Sequence, residues 1–486
     1  MIFATIAGCI SSRGLGPAAD PDAAEDLSLG EATRAARQDA AWPDSDWWQV
    51  LHDPQLNRWI DTALARSPSL AEARARIRQS MAYAGLTESE EAPQLNLDGQ
   101  LRRHQWPTDN FYGPGELADS RTWDNNLALG ASYLLDFWGR EHNRTEAALN
   151  RAQASVAEAR SVQLSLVDQL VRAYIRFSLY YAQRDVKRSL LKQQRHILEL
   201  VEKRLDGGLG TELEVTQARA PIPAMRQELE DLDEKIQLSR NELAVLAGRS
   251  PAAGSALHRP ALSLTEAPVI PESIPLALVG HRPDVVASRW RVAAYARDID
   301  AARADFYPNV NLAASVGFSA VQGGMLDFLD SDKFTYSAGP VLSLPVFDGG
   351  ARRSALAGKS AEYDVAVAGY RQTLLNALRG ISDQLVRLHS LDKQQAMAAE
   401  AVAVAQESYD LTLEAYEGGL SDYLDVLNTE QNLYKQKLVV ERLVASRLAA
   451  HAELQVALGG GLMSEAAGPE AGRLQPADEA AANDGR

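Results

Sequence analysis

Cysteine is almost missing from this chain: Cys9 stands alone among 486 residues, so neither a disulfide within the chain nor a cysteine-based zinc site can form. Positive charge is also scarce. Forty-nine Lys and Arg against 65 Asp and Glu leave a net charge of -16, and no basic stripe carries interleaved aromatics, which argues against a nucleic-acid groove. The eight His residues are scattered, without an HExxH pair or a second nearby ligand, so neither a metal nor a cofactor is expected. Gly358-Lys359-Ser360 looks like the end of a phosphate loop, but Arg353 stands where that pattern requires Gly. The carboxylates fall mainly on faces of expected helices, where solvated charge is the default. With no catalytic constellation in sight, an enzyme is not expected. No uninterrupted apolar run reaches about 18 residues, so no helix is expected to cross a bilayer. A closed barrel of alternating strands is the other way across.

What the chain does have is an echo of itself. RLDGGLGTELEV at 204–215 returns as AYEGGLSDYLDV at 415–426, and Leu246-Ala247-Gly248 returns as Ala457-Leu458-Gly459. SPSLAEARARI at 67–77 pairs with RPDVVASRWRV at 282–292, and Pro93-Gln94-Leu95-Asn96-Leu97 with Pro308-Asn309-Val310-Asn311-Leu312. An ordered series of matches at a nearly constant offset marks an internal duplication. The expected organisation is a tether over 1–43, a first repeat over 44–248, a linker over 249–270, a second repeat over 271–459 and a disordered tail over 460–486.

Each half carries two alternating segments, expected as strands over about 93–104, 123–137, 307–320 and 334–347. Their apolar sets are Leu95, Leu97 and Leu101; Leu127, Leu129, Ala131, Tyr133 and Leu135; Val310, Leu312, Ala314, Val316 and Phe318; and Phe334, Tyr336, Ala338, Leu342, Leu344 and Val346. Any one of these could be a half-buried strand of a soluble sheet. Trp106, Trp123, Phe137, Trp138, Phe306, Tyr307, Phe334 and Phe347 gather near the strand ends, as in the aromatic girdles of membrane barrels. Four strands cannot close where about eight are the minimum, so a membrane barrel must be shared between chains, and a cyclic trimer supplies twelve.

Each half also holds a long helix. Arg140 to Asp206 contains neither Gly nor Pro, with Ile175, Leu179, Ala182 and Val186 expected as its seam. Leu374, Leu378, Ile381, Leu385 and Leu388 form the corresponding seam of the second, and no Pro falls between 346 and 468. Gly207-Gly208 and Gly418-Gly419 end these helices through the left-handed conformation, and Thr211 and Ser421 are positioned to cap the return helices. Pro221 and Pro223 are expected to kink the first return helix. The echoed stretches thus read as the tips of two helical hairpins.

Cys9 follows Ile6-Ala7-Gly8, a pattern resembling the lipobox at which bacterial lipoproteins are cleaved and acylated. The segment before it is shorter than a signal peptide and lacks Lys and Arg, so either translation starts upstream or the match is accidental.

Asp53-Pro54-Gln55-Leu56, YLLDFWGR from Tyr133 to Arg140, Arg282-Pro283-Asp284-Val285, Phe306-Tyr307-Pro308, Pro345-Val346-Phe347-Asp348-Gly349-Gly350 and Leu424-Asp425-Val426-Leu427 span about 48–460. In order and spacing the chain resembles the TolC-like outer-membrane efflux proteins, particularly their NodT/OprM-like lipoprotein branch. The resemblance implies a mainly α fold with a membrane β-barrel: a homotrimer with four strands per chain in a twelve-stranded outer-membrane barrel, continued by a long periplasmic α-helical barrel. It implies the exit duct of a tripartite pump, passing small toxic compounds or drugs outward with a periplasmic adaptor (membrane fusion) protein and an inner-membrane RND-type transporter. It further implies palmitate on Cys9, a lipid-facing surface, an acidic gate at Asp425 with Asp422 one turn nearer the tip, and adaptor contact at Gly207, Gly208, Gly418 and Gly419. Asn428 stands where many relatives carry a second aspartate. Type I secretion, metal efflux and a lipid-anchored coiled-coil scaffold without a pore are the alternatives.

Overall fold

The computed structural model describes residues 12, 14–19, 46–108, 117–262 and 279–461; Cys9 and most of the expected tail lie outside them. The chain divides into two compact units. The helices are α1 (Pro54–Arg66), α2 (Pro68–Glu90), α3 (Arg140–Asp206), α4 (Glu212–Arg219), α5 (Pro221–Leu246), α6 (Pro283–Ala304), α7 (Ala351–Glu417) and α8 (Tyr423–Ala457). The strands are β1 (Gln94–Gln105), β2 (Arg121–Leu135), β3 (Asn309–Ala320) and β4 (Phe334–Ser343). The α3 helix, with neither Gly nor Pro, and the α7 helix, which has no Pro but holds Gly358, Gly369 and Gly380, are each 67 residues long. No described helix is long and apolar enough to cross a membrane.

The first unit comprises 1–22, 75–156 and 287–371 and contains the sheet, an antiparallel meander in the order β1-β2-β3-β4. Register decides its chemistry. Leu97 pairs with Leu129, Leu127 with Phe318, and Phe318 with Phe334, so the four apolar sets predicted separately fall on one face. The opposite face carries Asn96, Asp98, Gln100, Asn126, Ser132, Asn311, Ser315 and Ser337, with Ser315 and Ser337 hydrogen-bonded at 2.8 Å. Most of the apolar side chains stay exposed, Leu95 and Leu97 to about 70% and Tyr336 to 77%, with Leu127, Leu135, Val310 and Phe318 half-buried, so the described residues leave this face largely uncovered. The strand over 334–347 stops earlier than expected, leaving Leu344 and Val346 outside it, next to Pro345, which has no N–H to give to a ladder. Phe306 is also corrected: it is buried against Ile299 and Leu356 and belongs to no girdle. Trp138 does fit one, stacking on Tyr307 at 4.5 Å while its indole N–H donates to the Pro308 carbonyl.

The second unit, 23–74, 157–286 and 372–486, is helical. Its core joins Trp47, Leu56, Trp59 and Ile60 to Leu170, Val171, Tyr174, Phe177 and Tyr181 of α3 and to Ile236 and Leu243 of α5. Of the expected α3 seam only Ile175 is fully buried, whereas Leu179, Ala182 and Val186 are half-buried. The bulky aromatics Tyr174, Phe177 and Tyr181 take the inward stripe instead. In α7 the expectation holds at Leu374, Leu378, Ile381 and Leu388, with Leu385 half-buried.

Ion pairs fix the neighbours in this unit. Arg176–Glu242 and Arg184–Asp233 join α3 to α5, Arg172–Glu453 joins α3 to α8, and Arg387–Glu453 and Arg447–Asp392 join α7 to α8. The body of the unit therefore runs α5-α3-α8-α7, with α5 and α7 outermost. Pro221 does interrupt the first return helix: it opens α5 after a break at Ala220, its absent N–H falling where a helix start has no partner to lose.

Candidate functional site at the hairpin tips

Both tips lie in the helical unit, and each is a turn that the backbone closes by itself. At the first, Gly208 N–H donates to the Leu205 carbonyl at 2.9 Å and Leu209 N–H to that of Arg204 at 2.8 Å. At the second, Gly419 donates to Tyr416 at 3.0 Å and Leu420 to Ala415 at 2.8 Å. This paired pattern needs one residue in the left-handed region, and Gly208 (φ 75°) and Gly419 (φ 74°) occupy it. Gly207 and Gly418 were expected to share that role and do not. A side chain at Gly418 would come no nearer than 3.4 Å to the Glu414 carbonyl.

The restarts differ. Thr211 accepts from the Glu214 amide at 3.3 Å while Glu214 reaches back to the Thr211 N–H at 3.0 Å, a reciprocal cap. At the second tip the cap is Asp422, whose carboxylate accepts from the Asp425 N–H at 3.1 Å, and not Ser421 as expected. Ser421 donates instead to the Asp425 carboxylate at 2.9 Å. Aligning the echoes residue by residue places Thr211 on Asp422 and Glu214 on Asp425, so the cap position is conserved within the chain although its chemistry changes. Asp422, Asp425 and Asn428 are exposed. So are Leu209 (76%) and Leu420 (88%), at the extreme ends of the turns.

The two tips are fastened to one another. Arg204 on α3 donates to the Tyr416 carbonyl on α7 at 2.9 Å and lies over the Tyr416 ring, 4.7 Å from its centre. Gln194 on α3 donates to the Tyr423 hydroxyl on α8 at 2.7 Å and to the Ala218 carbonyl at 2.9 Å; Gln193 donates to Tyr409 on α7. Around these contacts close Ile197, Val201, Val215, Ala218, Ala405, Tyr416, Tyr423, Val426 and Leu433. Burial pushes the Tyr409 hydroxyl up to about 12 and raises that of Tyr423, so both stay neutral hydrogen-bonding groups. Among the described residues no group of three or more His, Cys, Asp or Glu could hold a metal ion. The arrangement holds the ends of the two hairpins together.

A family model described as outer membrane efflux protein matches residues 59–249 and 275–460. The chain belongs to the outer membrane efflux protein family. This efflux protein is 45% identical over 356 residues to the fusaric acid resistance protein FusA of Burkholderia cepacia, covering 73% of this chain and 67% of that protein. It is 30% identical over 439 residues to the pyoverdine export outer membrane protein OpmQ of Pseudomonas aeruginosa, covering 89% and 91%. The crystal structure of the outer membrane protein VceC from Vibrio cholerae matches it with a TM-score of 0.81 at 32% identity, over 87% of this chain and 100% of that one. The efflux protein therefore resides in the outer membrane and periplasm, has the TolC-like fold, and is a non-enzymatic transport component.

Gln194, Arg204, Tyr416, Tyr423 and Glu430 escaped the sequence reading of this efflux protein. A signal for three of them was present. The echoed stretches diverge in size or charge at Arg204 against Ala415, Leu205 against Tyr416 and Glu212 against Tyr423, and Arg204, Tyr416 and Tyr423 are among the residues that reach from one hairpin to the other.

Proposed function

We propose that three copies of this chain form a passive exit duct, a twelve-stranded barrel in the outer membrane and a helical tunnel in the periplasm, through which a tripartite pump expels small organic toxic compounds. The observation that carries this reading is the sheet: four strands with one largely apolar face and, among the described residues, two unpaired edges, β1 and β4. Such a sheet is satisfied when its edges meet those of other copies and its apolar face meets lipid. The cargo class follows the relatives named for fusaric acid resistance and pyoverdine export.

Two helical faces support the same assembly. On outermost α7, Leu375, Val386, Met397, Val404 and Leu411 are exposed at intervals of eleven or seven residues, one stripe of a helix. On α5, Leu238 and Val245 are exposed seven apart. Counted back from the tips, Val386 falls between the levels of Leu238 and Val245, as a knob entering the α5 face of the next copy would.

The tips form the gate and meet the periplasmic adaptor, which recognises the exposed Leu209 and Leu420 presented by the glycine turns at Gly207, Gly208, Gly418 and Gly419; an inner-membrane RND-type transporter loads the duct. Asp425, with Asp422 behind it, then recurs in each copy around the axis, and a ring of carboxylates favours cations. Cys9 carries palmitate that retains the protein at the membrane, checked by labelled palmitate that enters the wild type and not Cys9→Ser. Conductance and ion selectivity in planar bilayers test the gate. Asp425→Asn is expected to lessen cation preference and its dependence on ionic strength, and selectivity equal to wild type would remove Asp425 from the constriction.

A further inference from the structure

Glu430 lies on α8 between Val426 and Leu433, both members of the core that joins the two tips, and it is 0% exposed. Neither carboxyl oxygen has a hydrogen-bond partner. Among the described residues no positive side chain acts on it as a counter-charge. The Tyr409 hydroxyl on α7 and those of Tyr423 and Tyr434 on α8 sense the Glu430 charge, and on α3 the side-chain oxygen of Gln194 is buried and unpartnered as well. From α4 the core receives Val215 and Ala218. Four charged groups of this end are engaged elsewhere: Arg204 on Tyr416, Lys437 over the Tyr434 ring and on Gln406, Arg219 on Glu202, Glu214 on the Thr211 cap. Asp410 and Glu417 on α7 act on Tyr409 and are of the same sign as the carboxylate.

We infer that Glu430 is a proton-binding site that locks the closed tips: the packed junction holds its carboxyl neutral, and the parted tips release the proton to water. A charged carboxylate without partner or hydration is among the costliest groups a core can hold, so the closed packing and the ionised acid exclude one another. Burial alone moves the Glu430 carboxyl from 4.5 up to about 7. By linkage, the closed junction therefore binds the proton about 300-fold more tightly than an exposed glutamate. The sign follows. A folded value raised above the exposed one gives a closed state fully favoured below about 4.5, weakened as pH rises, and level again above about 7. Across that window the open-to-closed ratio climbs by up to about tenfold per pH unit. Acidic surroundings hold the duct shut, and neutral ones leave it ready to yield to a partner.

The inference rests on the reading of the tips as a gate, and the test separates the two. Spin labels at Leu209→Cys and Leu420→Cys, in the full trimer with Cys9→Ser, report the tip-to-tip distance between pH 4.5 and 8. The expected result is a population shift toward longer distances as pH rises, absent in Glu430→Gln, which stays in the short-distance state. A distance distribution independent of pH, or one that still shifts in Glu430→Gln, overturns the lock. Should that variant fail to assemble, the infrared carbonyl band of a protonated buried acid in the wild-type trimer serves instead: loss of such a band centred near pH 7 is expected, and titration of every carboxyl near pH 4.5 overturns the site. Conductance on the same samples addresses the gate alone, because tips that part while the current stays constant refute gating and leave the proton site standing.

Discussion

Single residues at the tips divide into those the turn needs and those it merely accepts. Gly419 is held at φ 74°, where a side chain costs about 1 kcal/mol, whereas Gly418 lies within ordinary helical space. Gly419→Ala is therefore expected to lower the opening free energy of the tip amides by about 1 kcal/mol, and Gly418→Ala to leave it unchanged or raise it, since alanine favours helix. Hydrogen–deuterium exchange on amides 415–426 measures both; equal effects would mean the left-handed residue has been misplaced. The family motifs have a similarly local meaning. Asp53 is a buried acceptor for the N–H groups of Gln55, Leu56 and Ala261 and the Tyr174 hydroxyl. Asp136 accepts from the Arg140 and His142 amides, and Asp348 from those of Gly350 and Arg352. Each fixes where a helix begins.

At the scale of elements, the four strands and the two 67-residue helices were legible because period and absence of proline are local properties. The α3 seam was misread because its spacing permits several stripes, and only the partners α1 and α5 decide for Tyr174, Phe177 and Tyr181. The tie between hairpins was invisible for the same reason. It depends on two segments some two hundred residues apart arriving side by side, and only the divergence between the echoes pointed to it. Arg204 ties the hairpins twice, one guanidinium serving both a carbonyl and a ring face. Arg204→Ala should loosen the junction by about 1–2 kcal/mol and raise open probability in planar bilayers, with Arg204→Lys only partly restoring wild type because an ammonium lacks the planar fork. Unchanged open probability would show that the tips part without breaking this contact.

For the whole molecule, the unmet surfaces of one copy define the next. The α5-α3-α8-α7 order leaves α5 and α7 unsatisfied on one side each, as the sheet leaves β1 and β4. Oxidation of a Leu238→Cys, Val386→Cys double variant in the Cys9→Ser background is expected to yield covalent dimers and trimers on a denaturing gel, with neither single variant forming trimers. Monomers alone would place the seam between copies elsewhere. That the barrel must be shared between copies was readable from four strands and the minimum size of a barrel, which two copies already reach; the number three came with the family resemblance, and the helical faces proposed to join the copies required the order of the bundle.

The register of the sheet also sets a timetable. β1 and β2 are close in the chain, as are β3 and β4, but the central ladder pairs Asn125 with Ala320 and Leu135 with Val310, so it cannot form until the second half has been made as far as Ala320. At the other end, the Ala18 and Ala19 amides bind Asp364 and Leu15 packs against Ile299 and Leu356, contacts spanning from about 280 to about 350 residues. Closing loops of that size is slow, and the two hairpins carry open edges and apolar faces while they wait. The half-made chain is therefore its own most dangerous neighbour. It has to be kept extended until its last strand has been delivered, and the earliest residues to be made are among the last to find their place.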